Sequence, residues 1–174
     1  MNPRKQCFPP VVDAQTRLLV LGSLPGEVSL AKSEYYAHRQ NQFWRLIGEV
    51  IGVAGLRDLD YPSRLDTLRR HGVGLWDVIA EAEREGSLDG NIRNDVHNDL
   101  AELVASLPAL QAVAFNGGTS ARIGRRKLAG LAPPLRLIDL PSSSPAYTLP
   151  FADKLAVWMG LREFVSGAAG NRPV

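Results

Sequence analysis

Two asparagines and a run of three serines are the side chains best suited to chemistry in this chain. Asn41 sits in Tyr35-Tyr36-Ala37-His38-Arg39-Gln40-Asn41-Gln42-Phe43-Trp44. Asn116 sits in Phe115-Asn116-Gly117-Gly118, and Ser142, Ser143 and Ser144 in Leu140-Pro141-Ser142-Ser143-Ser144-Pro145-Ala146-Tyr147. Asparagine offers an acceptor and a donor and has no proton to lose near neutral pH, so it can orient a water or read a ligand edge. Serine hydroxyls and turn N–H groups contact phosphates. A fourth segment, Gly22-Ser23-Leu24-Pro25-Gly26, lets backbone approach a ligand closely, because glycine has no Cβ. Each feature has a plainer reading. Asn41 could cap a helix starting near Phe43, Asn116 could make an Asx-turn or cap the following helix, and Ser23 could belong to an ordinary tight turn. The serine run alone would be only a polar loop.

Several chemistries are excluded. His38, His71 and His97 lack ligand spacing such as His-Glu-x-x-His. There is no Gly-x-x-x-x-Gly-Lys-Ser/Thr loop and no Gly-x-Ser-x-Gly elbow. Cys7 is the only cysteine, so an intramolecular disulfide, a Cys-rich zinc site and a Cys-ligated cluster are all impossible. We expect no metal and no cofactor, and a reducing cytoplasmic setting.

The elements that must position these residues alternate between strand and helix. Residues 17–22 form a short apolar run of the kind buried on both faces. Residues 73–80, 110–115 and 135–140 are three further strand candidates. Residues 41–52 carry Phe43, Leu46, Ile47, Val50 and Ile51 at helical spacing, and residues 63–71, 95–107, 119–128 and 150–165 are further helices. This alternation implies an α/β fold: a three-layer α/β/α sandwich around a central, mostly parallel four-stranded sheet. In such sheets ligands bind beyond the carboxyl ends of the strands, and the polar loops all fall there. Phe43, Trp44 and Trp158 are expected in the core. Asp77 is a candidate for lining the site, and Asp139 is expected to make a buried hydrogen bond. Glu27 is an ionisable alternative to Asn41, ranked below it.

The chain has 174 residues, 45% hydrophobic and 22% charged, with net charge +2. That suits one globular domain over 1–174, with an irregular lead-in at 1–15 and an irregular tail at 167–174. No apolar run nears the roughly 20 residues that span a bilayer. The small positive charge permits nucleic acid as a partner without requiring it. The basic run Arg122, Arg125, Arg126 and Lys127 reads most simply as a solvated helix face.

The order of the four segments, from Gly22-Ser23-Leu24-Pro25-Gly26 to the Leu140-Pro141 serine loop, resembles the uracil-DNA glycosylase superfamily. It is most similar to the branch of hypoxanthine and mismatch-specific uracil glycosylases. The resemblance runs from about Leu18 to Phe164. It implies a monofunctional glycosylase that flips a deaminated base, hypoxanthine or uracil, from DNA and hydrolyses its N-glycosidic bond, starting base-excision repair. It implies Tyr36, ahead of Tyr35, as the stacking ring, Asn41 as the catalytic residue holding water, and Asn116 as reader of the base edge. Gly22, Ser23 and His38 would join the base site. Ser142, Ser143, Ser144, Pro145 and Arg39 would contact DNA, with Tyr147 able to fill the vacated stack. DNA with a deaminated base is then the partner, with no membrane, and a monomer is the expected state. The chain departs from one branch: mismatch-specific enzymes carry asparagine where Leu24 stands, and leucine cannot activate water. Loss of chemistry at Leu24 would leave a silent damaged-DNA binder. A hydrolase of small nucleosides is a third reading.

Overall fold

The structure, a computed structural model, describes residues 3–131 and 135–165. In chain order its strands and α-helices are β1 (Arg4–Gln6), β2 (Leu18–Gly22), α1 (Glu27–Lys32), α2 (Phe43–Ile51), α3 (Tyr61–Arg70), β3 (Val73–Asp77), β4 (Ile79–Glu83), β5 (Arg93–His97), α4 (Leu100–Ala105), β6 (Ala112–Asn116), α5 (Gly118–Leu128), β7 (Arg136–Leu140) and α6 (Phe151–Trp158). A 3-10 helix, Met159–Phe164, continues α6. The main sheet runs β3-β2-β6-β7, all parallel.

Side chains alternate across a strand, so each strand feeds two cores. Leu18 and Val20 of β2, with Val73, Leu75, Ala112 and Ala114, face α2, α3 and α6; there they meet Phe43, Leu46, Ile47, Leu68 and Trp158. Leu19 and Leu21, with Val113 and Phe115, face α4, α5 and β4; there they meet Leu100, Ile123, Leu128 and Ile79. The three layers expected from the sequence are therefore present. The apolar stripe of α2 is wholly buried, as its spacing requires. Phe43, Trp44 and Trp158 are core residues, each under 5% exposed. No helix among the described residues is long and apolar enough to cross a membrane.

A second sheet, antiparallel with order β1-β4-β5, is absent from the sequence reading. It accounts for three differences. Residues 73–80 are not one strand: β3 ends at Asp77, Val78 N–H donates to Gly22 O (2.9 Å), and β4 leaves for the second sheet. Residues 95–107 are not one helix. Val96, counted into its apolar stripe, is 49% exposed on β5, and the helix begins at Leu100 behind an Asp99 cap that accepts from Glu102 N–H. The lead-in is not wholly irregular, since β1 pairs with β4 and Val11 bridges Leu75. A fourth difference concerns Asp139. It lies on β7, the edge strand, with its side chain 61% exposed, and pairs with Arg125 at 2.9 Å instead of making a buried bond. The tail at 167–174 lies outside the described residues.

Candidate active site

Parallel strands end on the same side. Gly22, the last residue of β2, stands opposite Asp77, the last of β3; Asn116, the last of β6, stands opposite Leu140, the last of β7. A cavity of about 450 Å3 opens over these ends, within the range of small-ligand sites. Gly22, Ser23, Tyr36, His38, Asn41, Asn116, Ser142, Ser143, Ser144 and Pro145 all line it. So do Asp77 and Glu27. Arg39 is exposed and stands outside the wall. The basic last turn of α5 lies away from the cavity, because the helix starts at the strand ends and runs back.

Three of the walls are tied together through Ser143. Its N–H donates to Asn116 Oδ1 and its Oγ accepts from Asn116 Nδ2, both at 2.9 Å. Its carbonyl accepts from Gln42 N–H at 3.0 Å. Ser143 is 1% exposed, so it joins β6, the serine loop and the start of α2 from behind the surface. Ser142 and Ser144 are half-buried, while Pro145, Ala146 and Tyr147 are exposed. Lys154, buried on α6, donates to Ser144 O (3.2 Å), and Trp158 Nε1 donates to Pro141 O (3.0 Å), holding the loop from below. Gly117 has φ +98, and a Cβ there would meet Ser142 Cβ at 3.2 Å, so only glycine suits this turn.

The 22–26 turn is held by the second sheet. Arg84, the residue after β4, has no exposed side-chain surface and donates to the carbonyls of Leu24 and Pro25 and to Gly86 O. Ser23 Oγ donates to Asp89 (2.8 Å), and Glu27 N–H donates to Ser87 Oγ (3.0 Å). Leu24 itself is 6% exposed and belongs to the core beside Leu19 and Leu21. It contributes packing and no polar group to the turn. Replacing Arg84 with methionine would keep its bulk and strand the Leu24 and Pro25 carbonyls. A loss of about 2–3 kcal/mol is expected, read as a lower urea midpoint at unchanged slope.

Tyr36 is a non-glycine residue at φ 54, a left-handed conformation that costs energy and clusters at functional sites. Its ring stacks on Phe43 with centroids 3.9 Å apart, so one face rests on the core. Its buried hydroxyl has no hydrogen-bond partner. Burial, then the nearby Asp77 charge, push its pKa up, opposed by the Asn116 amide. Tyr35, by contrast, is 3% exposed, donates to Pro9 O and packs edge-on to Phe8. Asn41 Oδ1 accepts from Phe43 N–H at 2.9 Å. Gln42, not Asn41, is the N-cap of α2 and no side chain caps the helix; the Asn41 bond is a local turn contact from the residue before the cap. It leaves the second lone pair of Oδ1 and the amide hydrogens without an assigned partner, and the fixed rotamer keeps the group at the cavity. His38 is exposed, and its Nδ1 accepts from Gln40 N–H at 3.1 Å.

Asp77 is the residue whose environment the sequence does not convey. It is 3% exposed, and Oδ2 has no partner. A Cβ on Gly22 would lie 2.6 Å from Asp77 Oδ1 and 2.9 Å from the Tyr36 hydroxyl. Both groups thus take the space that a side chain at Gly22 would need. Burial chiefly, then the charge of Asp89, push the Asp77 carboxyl up to about 7, against a smaller pull from Arg84.

A family model, the uracil DNA glycosylase superfamily, matches residues 9–162. The chain belongs to this superfamily. Two curated relatives are named hypoxanthine DNA glycosylase. That of Methanosarcina barkeri is 46% identical over 117 residues, covering 67% of this chain and 73% of its own. That of Methanosarcina acetivorans is 41% identical over 147 residues, covering 82% and 87%. The solution NMR structure of a candidate uracil DNA glycosylase from Methanosarcina acetivorans superposes with TM-score 0.83 at 36% identity, over 93% of this chain and 99% of that one. This member of the superfamily is a DNA N-glycosylase, a hydrolase of N-glycosyl bonds, and its substrate is DNA. In this glycosylase the cavity is built from two sheets, because the β4–β5 loop brings Ser87, Leu88 and Asp89 to its wall. No residue motif announces that loop; the one sequence signal is Asp77 ending an apolar strand.

Proposed function

We propose that this glycosylase excises hypoxanthine from DNA, with Asn41 holding the attacking water. One observation carries the reading. Asn41, with its carbonyl fixed by Phe43 N–H, faces the same strand-end cavity as the stacking ring Tyr36. Two curated relatives at 41% and 46% identity, both named for hypoxanthine, support the choice of base.

A base cannot be reached within a duplex, so the nucleotide must flip out, at a cost of a few kcal/mol in unstacking. Stacking on an aromatic ring returns roughly 1–3 kcal/mol. The face of Tyr36 turned away from Phe43 supplies it. The free lone pair of Asn41 Oδ1 accepts from a water and aims its oxygen at C1′. The sugar passes through an oxocarbenium-like state that needs no strong nucleophile, so a neutral amide suffices. Asn116 acts on the base edge with what its two bonds to Ser143 leave free, Gly22 and Ser23 border the base, and His38 sits at the rim. Ser142, Ser144 and Pro145 take the DNA backbone, Ser143 braces them, and Arg39 lies where it can meet phosphate. One chain completes the cavity, consistent with action as a monomer.

The test is release of free base from oligonucleotides carrying deoxyinosine or deoxyuridine, in single strands and opposite each normal base. Faster release from deoxyinosine is expected. Faster release from deoxyuridine would overturn the choice of base. Binding without release from any strand would favour the silent binder, and action on free deoxyinosine alone would favour a nucleoside hydrolase.

A further inference from the structure

Cleaving an N-glycosidic bond leaves its electron pair on the base, and a purine departs poorly as an anion. The site needs something to neutralise that charge. No lysine or arginine is among the described residues lining the cavity. The serine loop offers hydroxyls and amides, partly consumed within the loop: Ser142 Oγ accepts from Ser144 N–H, and Ser144 Oγ from Ala146 N–H.

Two buried polar groups in the wall are unpartnered, the Tyr36 hydroxyl and Asp77 Oδ2. They lie beside Gly22, in the space that a side chain there would take. Orphaned buried polar atoms are costly in an empty fold and are satisfied by a ligand that carries the complementary groups. The other ionisable wall groups are engaged or exposed. Glu27 of α1 pairs with Lys5, and Asp89 accepts from Ser23. His38 lies on the exposed rim.

We propose that Asp77 is the proton donor to the departing base, its carboxylic acid protonating a ring nitrogen as the glycosidic bond breaks. This rests on the glycosylase reading above. An ionised Asp77 would face the negative charge growing on the base and oppose it; the acid form relieves it. The Tyr36 hydroxyl donates a hydrogen bond beside it and keeps its proton, since burial raises its pKa. The step balances simply. The C1′–N bond breaks and its electron pair stays on the base. The Asp77 proton passes to that base. The water held by Asn41 adds its oxygen to C1′ and gives up a proton to solvent, and solvent re-protonates Asp77. The net change is one water divided between sugar and base.

The surroundings of Asp77 keep a large share of its acid form at neutral pH. Burial chiefly, then Asp89 of the β4–β5 loop, raises its pKa, and Arg84, the residue after β4, opposes. Tyr35 and Tyr36 from the loop before α2, and Cys7 after β1, lie near enough to feel its charge. β6 contributes only the neutral Asn116 and α1 the exposed Glu27.

The experiment is single-turnover release of hypoxanthine from a deoxyinosine oligonucleotide between pH 5.5 and 9, by wild type and Asp77→Asn. The wild-type rate constant is expected to fall about tenfold per pH unit above about pH 7. Asp77→Asn keeps a donor but has no proton to transfer. It should be slower by about 10²-fold at pH 6 and lack the alkaline fall. A flat wild-type profile from pH 6 to 9 would overturn the proposal, and so would a variant with the wild-type rate and profile. Should the variant fail to fold, the wild-type profile decides alone, alongside NMR titration of the Asp77 carboxyl carbon. Release by neither protein at any pH would overturn the glycosylase reading itself, which a silent wild type distinguishes from failure of Asp77 alone.

Discussion

Asn41→Ala is expected to lower base release by about 10²–10⁴-fold while costing only about 1 kcal/mol of stability. The two numbers come from two jobs of one side chain. Asn41 Oδ1 accepts from Phe43 N–H at the start of α2, and losing one such hydrogen bond costs about 1 kcal/mol. The same oxygen, through its other lone pair, is proposed to hold the water. Asn41→Ser separates the two. A serine hydroxyl can still accept from the helix N-terminus, so its thermal midpoint should return toward wild type. Its shorter reach leaves the water unheld, so release should stay low. Release by both variants at the wild-type rate would move the water to another group, with Glu27 the first to examine.

Asp77→Asn is expected to stabilise the protein, on the order of 4 kcal/mol at pH 8. The folded carboxyl has its pKa raised from 3.8 to about 7, chiefly by burial. Between these values the folded chain holds a proton that the unfolded chain has lost. Stability must therefore fall as pH rises through that window and stay low above it. A difference of about three units corresponds to about 4 kcal/mol at 1.36 kcal/mol per unit. The amide does not titrate, so the variant should match wild type below pH 3.8 and pull ahead of it from pH 4 to 7. Urea unfolding of both proteins at pH 4, 6 and 8 reads this directly. Equal stabilities at pH 8 would mean that the carboxyl is not held at a cost. A costly group at a reaction centre is what a trade of stability for activity looks like.

Much of this was legible in residue order. The apolar run ending at Gly22 had to be a strand buried on both faces, and its neighbours are now β3 and β6. The spacing of Phe43, Leu46, Ile47, Val50 and Ile51 fixed the buried stripe of α2. Those two facts place the Tyr36-to-Asn41 loop over the strand ends. The second sheet was not legible, because its strands are short and half-polar: β5 is Arg93-Asn94-Asp95-Val96-His97, and β1 has three residues. Its chief contribution, the Arg84 clamp on the 22–26 turn, joins residues about sixty apart by backbone carbonyls, which no side-chain pattern records. Asp77 was visible as a residue but not as an environment. Its isolation depends on Gly22, Tyr36 and Asp89 arriving from three separate segments. Asn116 shows the reverse, a polar residue correctly placed at the cavity whose amide is already largely engaged by Ser143.

The most direct measurement is a crystal structure of Asn41→Ala bound to a duplex carrying one deoxyinosine, with the slow variant preserving the substrate. The expected result is hypoxanthine outside the helix, stacked on the Tyr36 face away from Phe43, with a ring nitrogen or oxygen within hydrogen-bond distance of Asp77. Hypoxanthine still paired in the duplex, or seated anywhere other than over Gly22, would contradict it.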